Sequence, residues 1–414
     1  MAPATEEPSS AARPRIGVTA PLGFTAGVAV ARVKGEGAGE HRPDVAVLHS
    51  ALPAAAAAVV TTNRVKAAPV VISQLNLADG RARALVVNSG NANACTGSQG
   101  FKDALLMAKV CGDELDLDPS EVLVASTGVI GRPMPMDRLS PAIVAAARAR
   151  SIPGGREAAR AIMTTDTVAK EAGARFVHHG HVISVGGMAK GSGMIHVNMA
   201  TMLGFLTTDA AVEPALLQAA LRRCVEDTFN MVTVDGDTST NDMLAIFANG
   251  AAGAPPITEA DGLEQLEGAL GDVCRELSRA IARDGEGATR LLSVGVTGAA
   301  SAVDARAAAR TVASSNLVKA AIHGGDPNWG RIVAALGRAG CELVLDRVRV
   351  AIGGEVVFER GAAISEVDLD RVRAAFERDE VVIACDLGLG DGAATAYGCD
   401  LSAEYVHINA DYTT

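Results

Sequence analysis

The chain has 414 residues, 49% of them hydrophobic and 21% charged, with a formal net charge of −11. That is enough apolar material for two or three structural units around a large core, and it is unlike a disordered chain. The acidic balance without a basic cluster argues against a nucleic-acid surface, no apolar run is long enough to span a bilayer, and seven scattered cysteines without a CxxC point to a reduced cytoplasmic protein.

Residues 1–15, MAPATEEPSSAARPR, carry acids and prolines but no apolar signal core, and are expected to be a flexible lead-in. Small and β-branched residues then alternate over 16–33 and 44–48, as strands do, and similar runs recur in VAVLHS, APVVISQ and ALVVNSG. Helical spacing follows at 102–115 and 137–150. SIPGG at 151–155 interrupts the chain before a helix over 156–163. Strands are expected at 174–177 and 182–186, joined by a turn bearing His178, His179 and His181. That turn reads as a solvated hairpin tip with at most an adventitious metal, since no cysteine or carboxylate set accompanies it.

The second half opens with amphipathic helices over 212–229 and 262–283. LLSVGVTG, ELVLDRVRVAIGG and VVIACDLGLG read as strands, and so does the tail YVHINADYTT. Aromatics make up only 3% of the chain, so Ala, Val and Gly must fill the core, which favours closely packed layers. The pattern is that of an α/β or α+β layered protein whose halves meet near residue 200 and share one large core.

Several polar segments stand out against these elements. Residues 190–210, KGSGMIHVNMATMLGFLTTDA, hold Thr201 after the small Ala200. A threonine hydroxyl is a poor nucleophile until a base is held beside it, and an N-terminal threonine supplies that base as its own amine. GGMAKGSG (186–193) has Lys190 before Gly191 and Ser192, which is not the order of a phosphate-binding loop. VLVASTGVIG (122–131) sets a Thr hydroxyl beside a Gly N–H, a pair able to hold an oxyanion, although a simple strand-ending turn is the ordinary reading. MTTDTVAK, DGDTSTNDM, RDGEGATR and HGGDPNWGRI are each polar. None has a metal-loop spacing; the second lacks the glycine and distal glutamate of a calcium loop.

Together these segments resemble the ornithine acetyltransferase (glutamate N-acetyltransferase) family of arginine biosynthesis. The resemblance runs through TAPLGF, NSGNANACTG, ASTGVIG, MTTDT, AKGSGMIHVNMATML, DGDTSTND, DGEGAT, HGGDPNWGRI, DGAATAYGCDL and INADYTT. Val197 departs from it, standing where the family usually has proline.

The resemblance implies a layered α/β sandwich similar to N-terminal-nucleophile hydrolases in layering but different in connectivity. It implies self-cleavage between Ala200 and Thr201 into an α chain (16–200 after the lead-in) and a β chain (201–414), paired as an α2β2 heterotetramer. Thr201 would be the nucleophile, with Thr127 and Gly128 as the oxyanion hole. Thr164 (or its neighbour Thr165), Lys190, Thr201, Glu286, Asn409 and Thr414 would contact substrate. The implied reaction passes an acetyl group from N-acetylornithine to glutamate through an acetyl-threonine, with no cofactor. Acetyl-CoA is a second donor in some members. The competing reading is an amidohydrolase or aminopeptidase using the same N-terminal threonine.

Overall fold

The structure, a computed structural model, describes residues 16–35, 42–196 and 202–411. The expected lead-in 1–15, together with Val197, Ala200, Thr201 and Thr414, lies outside the described residues. In chain order the first half forms β1 (Phe24–Ala29), β2 (Val45–Ser50), β3 (Ala55–Val60), α1 (Ala68–Asn76), β4 (Ala84–Asn91), α2 (Gly97–Leu115) and β5 (Val122–Val129). It continues through α3 (Met136–Arg148), α4 (Gly154–Ala161), β6 (Lys170–His178) and β7 (His181–Lys190).

The second half begins with β8 (Leu203–Thr208), α5 (Pro214–Glu226), β9 (Met243–Ala248), α6 (Leu263–Arg283), β10 (Leu291–Ala299) and α7 (Ala302–Ala313). Then come α8 (Asn316–Gly324), α9 (Trp329–Gly337), β11 (Arg349–Ile352), β12 (Glu355–Glu359) and β13 (Ala362–Ala363). The chain closes with α10 (Leu369–Phe376), β14 (Glu380–Asp386), β15 (Gly392–Cys399) and α11 (Ala403–Asp411).

Two sheets stack face to face. One has the order β1-β2-β4-β5 and the other β3-β9-β8-β7-β6. Both contain a parallel pair, β4–β5 and β8–β9, each joined by a crossover helix, α2 and α5. Their central strands are buried on both faces, which is why β4 and β9 are buried at every residue. Leu85, Val87 and Leu123 of one sheet meet Met188, Phe205 and Phe247 of the other. The outer face of the first sheet (Val45, Val86, Val124) packs on α2 and α3, and that of the second (Ile183, Leu206, Ile246) packs on α5 and α6. The result is four layers in the order helix, sheet, sheet, helix, as the layered reading expects.

The remaining strands form a third sheet, β13-β12-β11-β14-β10-β15, whose core includes residues of α7 to α10. Trp329 belongs there, stacked on Phe358 with ring centroids 5.3 Å apart. Among the described residues, no helix is long and apolar enough to cross a membrane.

The halves are interlaced. β8 and β9, from beyond residue 200, lie between β3 and β7, and Lys190 is the register partner of Leu203. The connection through Ala200–Thr201 therefore leaves one strand end and returns to the end of its neighbour.

Four expected elements differ. APVVISQ is helical in α1 because Pro69 occupies the first turn, where its missing N–H costs nothing, and the Ser73 hydroxyl donates to Val124 O at 2.7 Å. Of 16–33 only Phe24–Ala29 is strand, since Gly17 and Gly23 turn the chain at φ +89° and +79°. Of ELVLDRVRVAIGG only Arg349–Ile352 pairs. The tail is a helix rather than a strand up to Asp411. Ser402 Oγ accepts the Tyr405 N–H at 3.4 Å, as an N-terminal cap does, and the described residues of α11 include none that is buried, so Val406 and Ile408 complete no sheet.

Candidate active site

One pocket collects Thr127, Gly128, Thr164, Lys190, Glu286 and Asn409, together with Thr165. These come from the end of β5, the turn after α4, the end of β7, the turn after α6 and the helix α11. No local sequence signal links them; the stacked sheets bring the strand ends to one edge. HGGDPNWGRI does not line the pocket.

Gly128 has φ +131°, and a Cβ there would fall inside the backbone of Gly90 and Asn91, so only glycine fits. The β4–β5 ladder is irregular at that point, with Asn91 opposite both Thr127 and Val129. Asn241 fastens the strand end from the second half. Its Nδ2 donates to Ala92 O at 2.6 Å and to Ser126 O at 2.8 Å.

Lys190 is buried, and its Nζ donates to Thr164 Oγ1 at 2.8 Å and to Thr127 Oγ1 at 3.5 Å. Thr165 instead shares a hydrogen bond with Ser192 Oγ at 2.7 Å, so of the two adjacent threonines it is Thr164 that meets the lysine. Burial pulls the Lys190 pKa down, and the neighbouring Lys170 adds to this; Asp166, Glu286 and Asp242 oppose it.

Asp166 anchors the floor. It accepts from Lys170 Nζ at 2.7 Å, the Gly191 N–H at 2.6 Å and the Thr164 N–H at 3.1 Å, and lies 3.8 Å from Lys190 Nζ. Burial alone would raise its pKa, but Lys190 and Lys170, with these hydrogen bonds, outweigh burial and hold it at about 2. Lys170 also donates to Asp284 at 2.6 Å, and Asp284 accepts from both the backbone and the hydroxyl of Thr167. Two buried carboxylates and two buried lysines thus form one network.

Glu286 also lines the pocket and is held by its own N–H, which donates to Ser192 O at 2.8 Å. Its carboxylate lies over Gly193, where a Cβ would collide with it, and accepts from Asn409 Nδ2 at 2.9 Å. Asn409 also donates to Tyr405 O at 3.0 Å, one helical turn back, so the helical form of the tail is what aims it at Glu286.

Asp242 completes the surroundings. It is buried, and its Oδ1 accepts the Met202 N–H at 2.8 Å, while Met202 O accepts from the Met243 N–H at 3.1 Å. The residue that follows Thr201 is therefore fixed at both of its backbone groups. Asp166, Asn241 and Asp242 all lie in segments whose polarity is plain in the sequence (MTTDT and DGDTSTND). Partners that reveal the roles are far off in the chain, Gly191 25 residues from Asp166, Met202 40 from Asp242 and Ala92 149 from Asn241, which hides them.

A layered α/β protein with a small polar pocket, bounded by one lysine, one carboxylate and several hydroxyls, is equipped for acyl chemistry on a small polar substrate. The family model described as "ArgJ family" matches residues 25–414. A relative from Symbiobacterium thermophilum, called arginine biosynthesis bifunctional protein ArgJ, is 53% identical over 96% of this chain and 98% of its own. One of the same name from Dehalococcoides mccartyi is 48% identical over 96% and 97%. Among solved structures, a chain of the Bacillus halodurans protein of that name is 43% identical with a TM-score of 0.50, matching 51% of this chain and 100% of that one. A chain of ornithine acetyltransferase complexed with ornithine from Mycobacterium tuberculosis is 40% identical with a TM-score of 0.39, covering 44% of this chain and 94% of that one. The chain belongs to the ArgJ family.

Proposed function

We propose that this chain is a glutamate N-acetyltransferase of arginine biosynthesis. It cuts itself between Ala200 and Thr201 and carries the acetyl group on the Thr201 hydroxyl. The observation that carries the reading is the convergence of Thr127, Gly128, Thr164, Lys190, Glu286 and Asn409 on one pocket, beside the β7–β8 strand ends that the Thr201 segment connects. The Bacillus halodurans chain, matched over its whole length, spans only half of this one, as a cleaved half would.

In cleavage, the Thr201 hydroxyl attacks the Ala200 carbonyl, the acyl group moves from nitrogen to oxygen, and water hydrolyses the ester. The amine so freed serves as the base in transfer; an α-amino group ordinarily titrates at about 7.7–8.0. It takes the hydroxyl proton as Thr201 Oγ attacks the acetyl carbonyl of N-acetylornithine, and returns the proton to the departing ornithine amine. Glutamate's amine then attacks the acetyl-threonine and regenerates the hydroxyl. Both steps pass through a tetrahedral oxyanion. Because Lys190 donates to Thr127 Oγ1, the Thr127 proton is left to point into the pocket beside the Gly128 N–H. Glu286, steadied by Asn409, is a carboxylate placed to receive a substrate ammonium. Thr414 is assigned as a further substrate contact. The proposal needs no cofactor. The mature form is proposed to be an α2β2 assembly of the cleaved chains in the cytoplasm.

The word bifunctional in the relatives' names supports acetyl-CoA as a second donor. The test is a transfer assay to glutamate run separately with N-acetylornithine and with acetyl-CoA, with wild type and Thr201→Ala compared on a denaturing gel. Wild type should show two fragments and acetylglutamate; the variant should show one band and none. Cleavage or transfer by the variant refutes the reading. Acetate released equally with and without glutamate would instead establish an N-terminal-threonine amidohydrolase.

A further inference from the structure

The tip joining β6 and β7 carries His178 and His179, with His178 paired to His181 across the ladder. The sequence offers no carboxylate nearby, but the fold brings Asp261 from the turn before α6. His179 Nε2 lies 2.6 Å from Asp261 Oδ2, and His178 Nδ1 lies 4.0 Å from Oδ1. The two imidazoles meet edge to face, 4.5 Å between centroids. One ligand atom from each of the three residues lies within 4.8 Å of the others.

His178 sets this apart from a surface ion pair. It is only 5% exposed, and its Nε2 is buried without a hydrogen-bond partner among the described residues. The ring is seated against Gly262 (φ +82°), where a Cβ would come 2.7 Å from its Cε1. A buried imidazole thus turns its Nδ1 toward a carboxylate that a second imidazole already holds, while its Nε2, across the ring, is unpaired among the described residues.

We propose that His178, His179 and Asp261 bind one divalent transition-metal ion of the zinc type. Imidazole nitrogen and carboxylate oxygen are the donors such an ion takes, at about 2.0–2.2 Å, which sets tetrahedral ligand atoms roughly 3–3.5 Å apart. The 2.6 Å pair opens and the 4.0 Å pair closes by less than about 1 Å to reach that spacing. His179 and Asp261 are each about half exposed (side chains 53% and 55%), so the ion can enter and water can take the fourth position. None of the three residues lines the catalytic pocket. The histidines precede residue 200 and Asp261 follows it, so the ion would also tie together the two chains that cleavage makes. That last role rests on the proposed cut; the binding does not.

The test titrates ZnCl2 into untagged full-length protein stripped with chelator, by calorimetry, with Co2+ absorption as a spectroscopic check of the ligands. One equivalent should bind and raise the melting temperature. His179→Ala and Asp261→Asn, both at exposed positions that tolerate change, should weaken binding more than about tenfold. His181→Ala should bind as wild type does, since the His181 Nδ1 is already paired with Ala252 O at 3.2 Å. No saturable binding, or equal binding by the His179 and Asp261 variants, overturns the proposal.

Discussion

Thr127 and Gly128 occupy the one place where the β4–β5 ladder loses its regular pairing, and that local irregularity is what the chemistry proposed here uses. Thr127→Ala should lower kcat by about 10²–10³, the usual cost of removing one oxyanion donor, whereas Thr127→Ser should retain most of it; steady-state kinetics of acetyl transfer check this. Asp242 holds the N–H of Met202 and nothing in the sequence marks it for that. Asp242→Ala should slow the proposed self-cleavage about 10- to 100-fold, the equivalent of one hydrogen bond to a charged group, read from a time course on denaturing gels. Motif resemblance singled out six residues that line one pocket, Thr127, Gly128, Thr164, Lys190, Glu286 and Asn409. Their partners were not legible, because Asn241 reaches Ala92 across 149 residues and no local spacing encodes that.

Between strands and helices, the chain's periodicity was a good guide where one face is buried. α2, α3, α5 and α6 lie close to where their apolar spacing puts them. It failed in short apolar segments, where period cannot separate helix from strand: Pro69 and the bond from Ser73 to Val124 decide α1, and the cap at Ser402 decides α11. The turn after α4, the end of β7 and the end of α6 are joined by Asp166, Lys170, Lys190 and Asp284. The Asp166 pKa is lowered from 3.8 to about 2 on folding, so its stabilisation is complete above about pH 4 and is lost as pH falls toward 2. Acid titration of the fluorescence or circular dichroism signal should show that loss. Asp166→Asn, which leaves two buried lysines short of a charge, should cost about 3–5 kcal/mol in urea unfolding.

Across the molecule the main fact is interlacing. Phe205 and Phe247 come from the second half, yet they fill the layer between the sheets against Leu85 and Leu123 of the first. Phe247→Ala should cost about 3–5 kcal/mol, and because the layer is shared it should loosen both halves together in one unfolding transition. For the same reason, a chain cut after Ala200 should run as a single species in native gel filtration and separate only in denaturant. The sequence pointed to one shared core, but strand order β3-β9-β8-β7-β6 is a matter of which edges meet, and apolar alternation carries no label for a strand's neighbour.

That strand order also sets a sequence of events in time. Residues 16–196 alone would present β3 and β7 with no partner on their facing sides, and residues 202–411 alone would present β8 and β9 with both flanks bare. Raw strand edges of that kind seek other chains. Assembly of the uncut polypeptide must therefore come first, and any scission of the β7–β8 connection is a finishing step performed on a completed object. A two-gene version of this protein, its halves translated separately, would begin life as an aggregation problem.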